Sequence, residues 1–183
     1  PTIETENFVI CVTDRGSEKP FMAMMTDKIA DLHIVGAGCS AQCFPFYTYA
    51  KDGSQRRENI TDWALAQFRA AYAAAPDLSN LKDLTNLPPS PSPPPPLTKW
   101  HIFHYIYALL HHPTYRDTYA ANLRRELPRI PFVAPAHFWH FVQAGERLAH
   151  LHVQYESQPE YPLTHHENPD LPLDYRVAKM RLS

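Results

Sequence analysis

The side chains that invite a chemical reading are histidines, cysteines and arginines. The 183-residue chain holds 11 histidines. Two pairs, His101 with His104 and His137 with His140, fall at i, i+3 on segments of helical periodicity, a spacing that can bring two imidazoles together on a metal ion. A zinc site would also want a carboxylate or thiolate at a recognisable offset, as in His-Glu-x-x-His, and the sequence has none. The histidines therefore read as core or boundary residues, and no metal is assigned. Cys11, Cys39 and Cys43 are odd in number, match no common zinc knuckle, and are expected as free thiols. There is no Gly-x-Ser-x-Gly elbow, no Gly-rich phosphate loop ending in Lys-Ser or Lys-Thr, and no Gly-x-Gly-x-x-Gly. The carboxylates Asp14, Asp27, Asp31, Asp62 and Glu126 form no nuclease-like pairing, so no catalytic residue is assigned.

Cations are the better signal. Arg116 and Arg124 stand two turns apart on a helix expected over 114–127 and would share a face, with Arg125 beside them and Arg129 just past the end. Such a stripe can grip phosphates, each guanidinium offering a planar fork of donors. Its alternative is a solvated face whose cations sit near the negative end of the helix dipole. A second cluster, Lys51, Arg56 and Arg57, is expected in a strand-to-helix loop beside Tyr47 and Tyr49, and loops on a rigid scaffold are where base-reading side chains are placed. A net charge of −2 and a pI near 6.6 supply no global attraction to nucleic acid, so DNA binding would rest on such local surfaces.

The elements that must position these groups follow from pattern. With 44% hydrophobic and 20% charged residues the chain is expected to fold, as one domain or a domain with a satellite. No run approaches the roughly 18 apolar residues of a membrane span and no signal-like leader opens the sequence, which reads as cytoplasmic. Pro1 in place of Met, and an end at Ser183 without a compositional tail, read as a segment of something longer. Short β-branched and apolar runs at Asn7–Asp14, Phe21–Thr26, Ile29–Val35 and Cys43–Tyr49 predict strands, with Pro45 confined to an edge or bulge. Ile60, Ala64, Phe68 and Tyr72 then fall at helical spacing, predicting a helix over 61–74, with Asn59 and Asp62 placed to cap it. Trp100, Phe103, Tyr107 and Leu110 mark another helix, Pro113 interrupts, a helix follows over 114–127, and a last one over 136–153 buries Phe138, Phe141, Val142 and Leu148. The expected fold class is α+β: an N-terminal mixed β-sheet with one helix, then a helical subdomain. The parts are 1–75, a β-rich unit; 76–98, a Pro-rich loop, read as a solvated insertion rather than an SH3-type ligand; 99–155, the helical unit; and 156–183, an extended segment.

Several stretches occur in a telling order: Ile29-Ala30-Asp31-Leu32-His33, Cys43-Phe44-Pro45-Phe46-Tyr47-Thr48-Tyr49, Asn59-Ile60-Thr61, Phe103 to His111, Pro113-Thr114-Tyr115-Arg116, Tyr119, Pro128-Arg129-Ile130-Pro131, and Gly145 to His152. Together they resemble the C-terminal target-recognition region of type I single-polypeptide (type ISP) restriction–modification enzymes and related adenine-specific DNA methyltransferases. The resemblance implies recognition of a specific double-stranded DNA sequence, by a part that is not catalytic itself and docks on the methyltransferase domain of its parent chain. It implies S-adenosylmethionine, ATP and Mg²⁺ for the parent and no cofactor in this part. On that reading Arg116, Arg124, Arg125 and Arg57 would contact phosphates, and Lys51, Gln55 and Arg56 would reach base edges. The Tyr-Ala-Leu-Leu-His and Pro-Arg-Ile-Pro stretches are expected to be scaffold. The rival reading makes the helical half a coupler or interdomain interaction module of the same enzyme. A free-standing metal-dependent hydrolase built on the histidines is a third.

Overall fold

The computed structural model describes residues 7–72, 95–160 and 162. Most of the Pro-rich 76–98 stretch, and nearly all of the expected extended segment 156–183, lie outside the described residues.

Three short strands make the first sheet: β1 (Val9–Thr13), β2 (Ala23–Thr26) and β3 (Ala41–Pro45), in the order β2-β1-β3. All pairings are antiparallel. The even positions of β1, Ile10 and Val12, belong to the main core, while Cys11 packs with Val35 and Cys39 in a separate small cluster. A strand alternates its side chains between two faces, so β1 carries a core on each side of the sheet. A second, two-stranded sheet is the hairpin β4 (Tyr47–Thr48) with β5 (Arg57–Glu58). Pro45 ends β3 at the sheet edge, where its missing N–H costs no ladder bond.

One expected strand is corrected. Residues 29–35 form turns, because Asp31 accepts the His33 amide at 2.8 Å through its side chain and the Ile34 amide at 3.2 Å through its carbonyl. That local bonding competes with a ladder, and it leaves Ile29 and Leu32 exposed.

Helix α1 (Asp62–Tyr72) starts one residue later than expected, and its first turn is capped by Thr61, whose hydroxyl accepts the Ala64 amide. Asn59 is not the cap: its side chain donates to the Pro45 carbonyl. Helix α2 (Lys99–His111) opens on a capping box in which Thr98 accepts the His101 amide and the His101 ring accepts the Thr98 amide. The helix expected over 114–127 is divided into α3 (Pro113–Thr118) and α4 (Ala120–Leu123) by a kink at Tyr119. Helix α5 (Pro135–Val153) completes the set, with prolines in the first turn of α3 and α5, where their missing N–H is harmless.

Helices α2 and α5 form the most extensive packing of the molecule. Gly145 makes it possible: a Cβ there would stand 1.9 Å from the His104 carbonyl oxygen, so only glycine lets the two helices meet this closely. The irregular 128–133 segment, poor in amide donors, has its carbonyls satisfied by tyrosines. Tyr115 donates to Arg129, Tyr105 to Pro131 and Tyr72 to Val133, at 2.8, 2.5 and 3.2 Å. The Pro-Arg-Ile-Pro stretch is therefore held by two helices, and Val133 just beyond it by a third, which is a scaffolding role.

Candidate nucleic-acid interface

The hairpin β4–β5 is built outward from a rigid base. Phe46, fully buried, stacks on Trp100 of α2 with centroids 3.6 Å apart and meets Phe103 edge-on. The Asn7 side chain grips the next residue at both ends, donating to the Tyr47 carbonyl at 2.8 Å and accepting its amide at 2.9 Å. The Asn59 amide donates to the Phe46 carbonyl at 2.7 Å. Lys99 clamps the far side, reaching Glu58 at 3.1 Å and Asp62 at 2.7 Å. That ammonium holds the Asp62 carboxyl below the usual carboxylate range, and Asp62 in return raises Lys99.

The loop between the strands, residues 49–56, projects from this base. It is a hairpin loop rather than the expected strand-to-helix connection. Ala50 accepts the Gly53 amide and donates its own to Ser54, while Asp52 accepts both the amide and the hydroxyl of Ser54. Those two bonds hold the Asp52 carboxyl below its ordinary range. Gly53 and Gln55 take left-handed conformations, φ 81° and 53°, and Gln55 is the one non-glycine among the described residues to do so. A long side chain in that region is locally strained and is held there by its surroundings.

Lys51, Gln55, Arg56 and Arg57 are all exposed and all lie on this hairpin, so the structure brings these four together. The Arg56 guanidinium lies over the Tyr47 ring, 4.5 Å from its centroid, and Arg57 donates to the Gln55 side-chain oxygen at 2.9 Å. Both arginines are thus pre-positioned by neutral partners that leave their charge uncompensated. Trp63, in the first turn of α1, is 73% exposed. It falls out of register with the apolar face Ile60, Ala64, Phe68 and Tyr72.

The expected basic stripe on the helical half does not form. Arg116 is half-buried, and its guanidinium donates to the Phe21 carbonyl at 2.6 Å. With the kink at Tyr119 between them, Arg116 and Arg124 no longer share one helix face. Arg124 and Arg125 are exposed just past α4, and the Arg124 carbonyl accepts the Gly16 amide at 2.9 Å. Arg129 pairs with Glu126 at 2.8 Å. Arg116 and the Arg124 backbone thus tie the β1–β2 connection to the helices.

Three of the histidines are likewise engaged, whereas the buried His140 Nδ1 has no hydrogen-bond partner among the described residues. His101 caps α2, His104 is largely buried with Glu146 nearby, and His152 bonds to the Tyr107 hydroxyl. Burial pushes all three below the ordinary imidazole value. Among the described residues no three His, Cys, Asp or Glu side chains converge as metal ligands.

The α+β scaffold thus raises a cationic hairpin loop on an aromatic base. Across residues 1–183 the sequence matches the family model described as the type ISP C-terminal specificity domain, and the chain belongs to that family. A chain in the cryo-EM structure of a DrdV–DNA complex is 38% identical, with TM-score 0.70, over 91% of the present chain and 14% of its own length. A nuclease-deletion mutant of the type ISP restriction–modification enzyme LlaGI, in complex with a DNA substrate mimic, is 25% identical with TM-score 0.60, over 87% of this chain and 11% of its own. The ATP-dependent type ISP enzyme LlaBIII bound to DNA shares the fold, at 23% identity and TM-score 0.60, over 85% of this chain and 9% of its own. The present chain thus spans a small fraction of these proteins. No curated protein matches it.

Proposed function

We propose that this domain reads the DNA target sequence of a restriction–modification enzyme, with the β4–β5 hairpin as its reading element. The observation that carries the proposal is the hairpin: three exposed cations and a glutamine on its loop and the start of β5, held from below by Asn7, Phe46 and Lys99, in a family of specificity domains. Arg56 and Gln55 have the donor and acceptor groups that read guanine and adenine edges in the major groove, and Lys51 and Arg57 suit phosphates. Arg124 and Arg125 remain candidates for phosphate contact, whereas Arg116 is assigned to the scaffold.

The domain works in the cytoplasm as part of a longer parent, from which the methyltransferase, nuclease and motor activities come. S-adenosylmethionine, ATP and Mg²⁺ would serve those other parts of the parent. Among the described residues no helix is long and apolar enough to cross a membrane. The exposed Ile29 and Leu32 favour a second role for the face of the sheet opposite the main core, as a seat for another part of the parent such as the methyltransferase domain.

Exchanging residues 7–160, in the parent enzyme, for the matching region of a relative with a different target tests the proposal. The methylated sequence is expected to change with the exchanged segment. Activity that survives with the original specificity would place recognition elsewhere and leave this domain a coupler.

A further inference from the structure

Two of the three cysteines stand opposite one another on neighbouring strands. In the β1–β3 pairing Cys11 faces Cys43. The bonds from the Asp14 amide to the Ser40 carbonyl, 3.0 Å, and from the Phe46 amide to the Phe8 carbonyl, 2.8 Å, put the hydrogen-bonded pairs at even β1 positions. Cys11–Cys43 is therefore a non-hydrogen-bonded pair, the kind in which Cα atoms stand about 4.5 Å apart and side chains come closest. That separation falls within the roughly 4.4–6.8 Å that a disulfide spans. The two sulfurs are 3.6 Å apart. Their surroundings differ sharply: Cys11 is fully buried beneath the turns of residues 29–39, and Cys43 is open to solvent.

We propose that Cys43 and Cys11 form a peroxide-responsive dithiol, in which Cys43 is oxidised first and Cys11 resolves it into a reversible cross-link between β1 and β3. The oxidant is hydrogen peroxide. The Cys43 sulfur, having lost its proton, attacks one peroxide oxygen, the O–O bond breaks, and a sulfenic acid and one water result. The Cys11 sulfur then attacks the Cys43 sulfur, the S–O bond breaks, and the departing hydroxide takes the Cys11 proton as a second water. Two thiols and one peroxide give one disulfide and two waters. The order follows from access: only Cys43 meets the oxidant. Burial, with the Cys43 contact adding to it, pushes the Cys11 thiol up to about 12, so Cys11 waits as a thiol until its neighbour has changed. The cross-link would fasten β3 to β1 just ahead of Phe46 and the hairpin it anchors.

Cys39 supplies an internal control. It lies in the same buried cluster as Cys11, but its thiol donates to the Gly36 carbonyl at 3.1 Å. The whole protein is titrated with hydrogen peroxide, denatured, counted for free thiols and mapped without reduction. Of the three thiols in this domain, Cys11 and Cys43 are expected to be lost together and Cys39 to survive, with a peptide joining Cys11 to Cys43 that dithiothreitol releases. The Cys43→Ser variant, changed at an exposed position, should keep both remaining thiols under the same exposure. The proposal is overturned by Cys43 accumulating as sulfinic acid beside a reduced Cys11, by a link to Cys39 or to a second molecule, or by three intact thiols at peroxide levels that oxidise free cysteine.

Discussion

Residues of one type divide by what their head groups touch. Arg116 spends its guanidinium on the Phe21 carbonyl, half-buried between α3 and the approach to β2. Arg56 and Arg57 lie in the open, one over a tyrosine ring and one on a glutamine oxygen. The substitutions should therefore separate two kinds of loss. Arg116→Ala is expected to lower stability by about 1.5–3 kcal/mol, the worth of a charged donor on a carbonyl, while leaving the parent's DNA affinity nearly unchanged. Arg56→Ala and Arg57→Ala should do the reverse. Each is expected to weaken binding by about 1–3 kcal/mol, roughly 5- to 150-fold, with unfolding temperature unaltered. Fluorescence anisotropy on the parent enzyme and thermal unfolding read the two losses separately. Native affinity in both hairpin variants would remove the hairpin from the interface.

Packing at the level of elements rests on the α2–α5 crossing and on which patterns the sequence could advertise. Strands β1–β3 and helices α1, α2 and α5 were legible because β-branched runs and helical spacing report burial directly. The expected strand at 29–35 failed because Asp31 closes turns on His33 and Ile34, a local bond that hydrophobic patterning does not register. The arginine stripe failed because spacing assumes an unbroken helix, and the chain kinks at Tyr119. The hairpin cluster was legible in composition, but the grip of Asn7 on Tyr47, forty residues away, is purely tertiary. So is the need for glycine at 145. Gly145→Ala gains up to about 1 kcal/mol of helix propensity but drives a methyl into backbone that cannot turn aside. A net loss of about 2 kcal/mol is expected, lowering the unfolding temperature by roughly 4–8 °C. The same interface predicts a pH dependence. Burial lowers the folded-state values of His101, His104 and His152 below 6.5, with Glu146 opposing it at the first two and a neighbouring histidine adding to it at His104 and His152. Below 6.5 the unfolded chain binds protons that the folded chain refuses, so stability is fully present above that value and falls as pH drops through it. Thermal unfolding from about pH 7.5 to about pH 5.5 should show the decline. A flat profile would mean that these rings are not buried in solution.

For the molecule as a whole, charge decides how it can meet DNA. With a net charge of −2 the chain as a whole does not attract a polyanion, so attraction must come from where cations are concentrated and uncompensated. Lys99 bridges Glu58 and Asp62, Arg129 pairs with Glu126 and Lys28 with Asp27, and the cations of the hairpin and the pair after α4 are among the exposed ones outside these ion pairs. Each phosphate neutralised releases condensed counterions, and the logarithm of affinity falls against the logarithm of salt by about 0.9 per contact. If Lys51, Arg56 and Arg57 all meet phosphates, replacing the three by alanine in the parent should make that slope shallower by about 2.7. If Arg56 reads a base instead, the slope should change by about 1.8, while discrimination between the target and a one-base variant falls. A coupler that touches only protein gives a third result, an unchanged slope with altered activity. Measuring affinity for target and variant duplexes across a salt series therefore separates phosphate grip, base reading and protein contact, because the three mechanisms move slope and discrimination in different combinations.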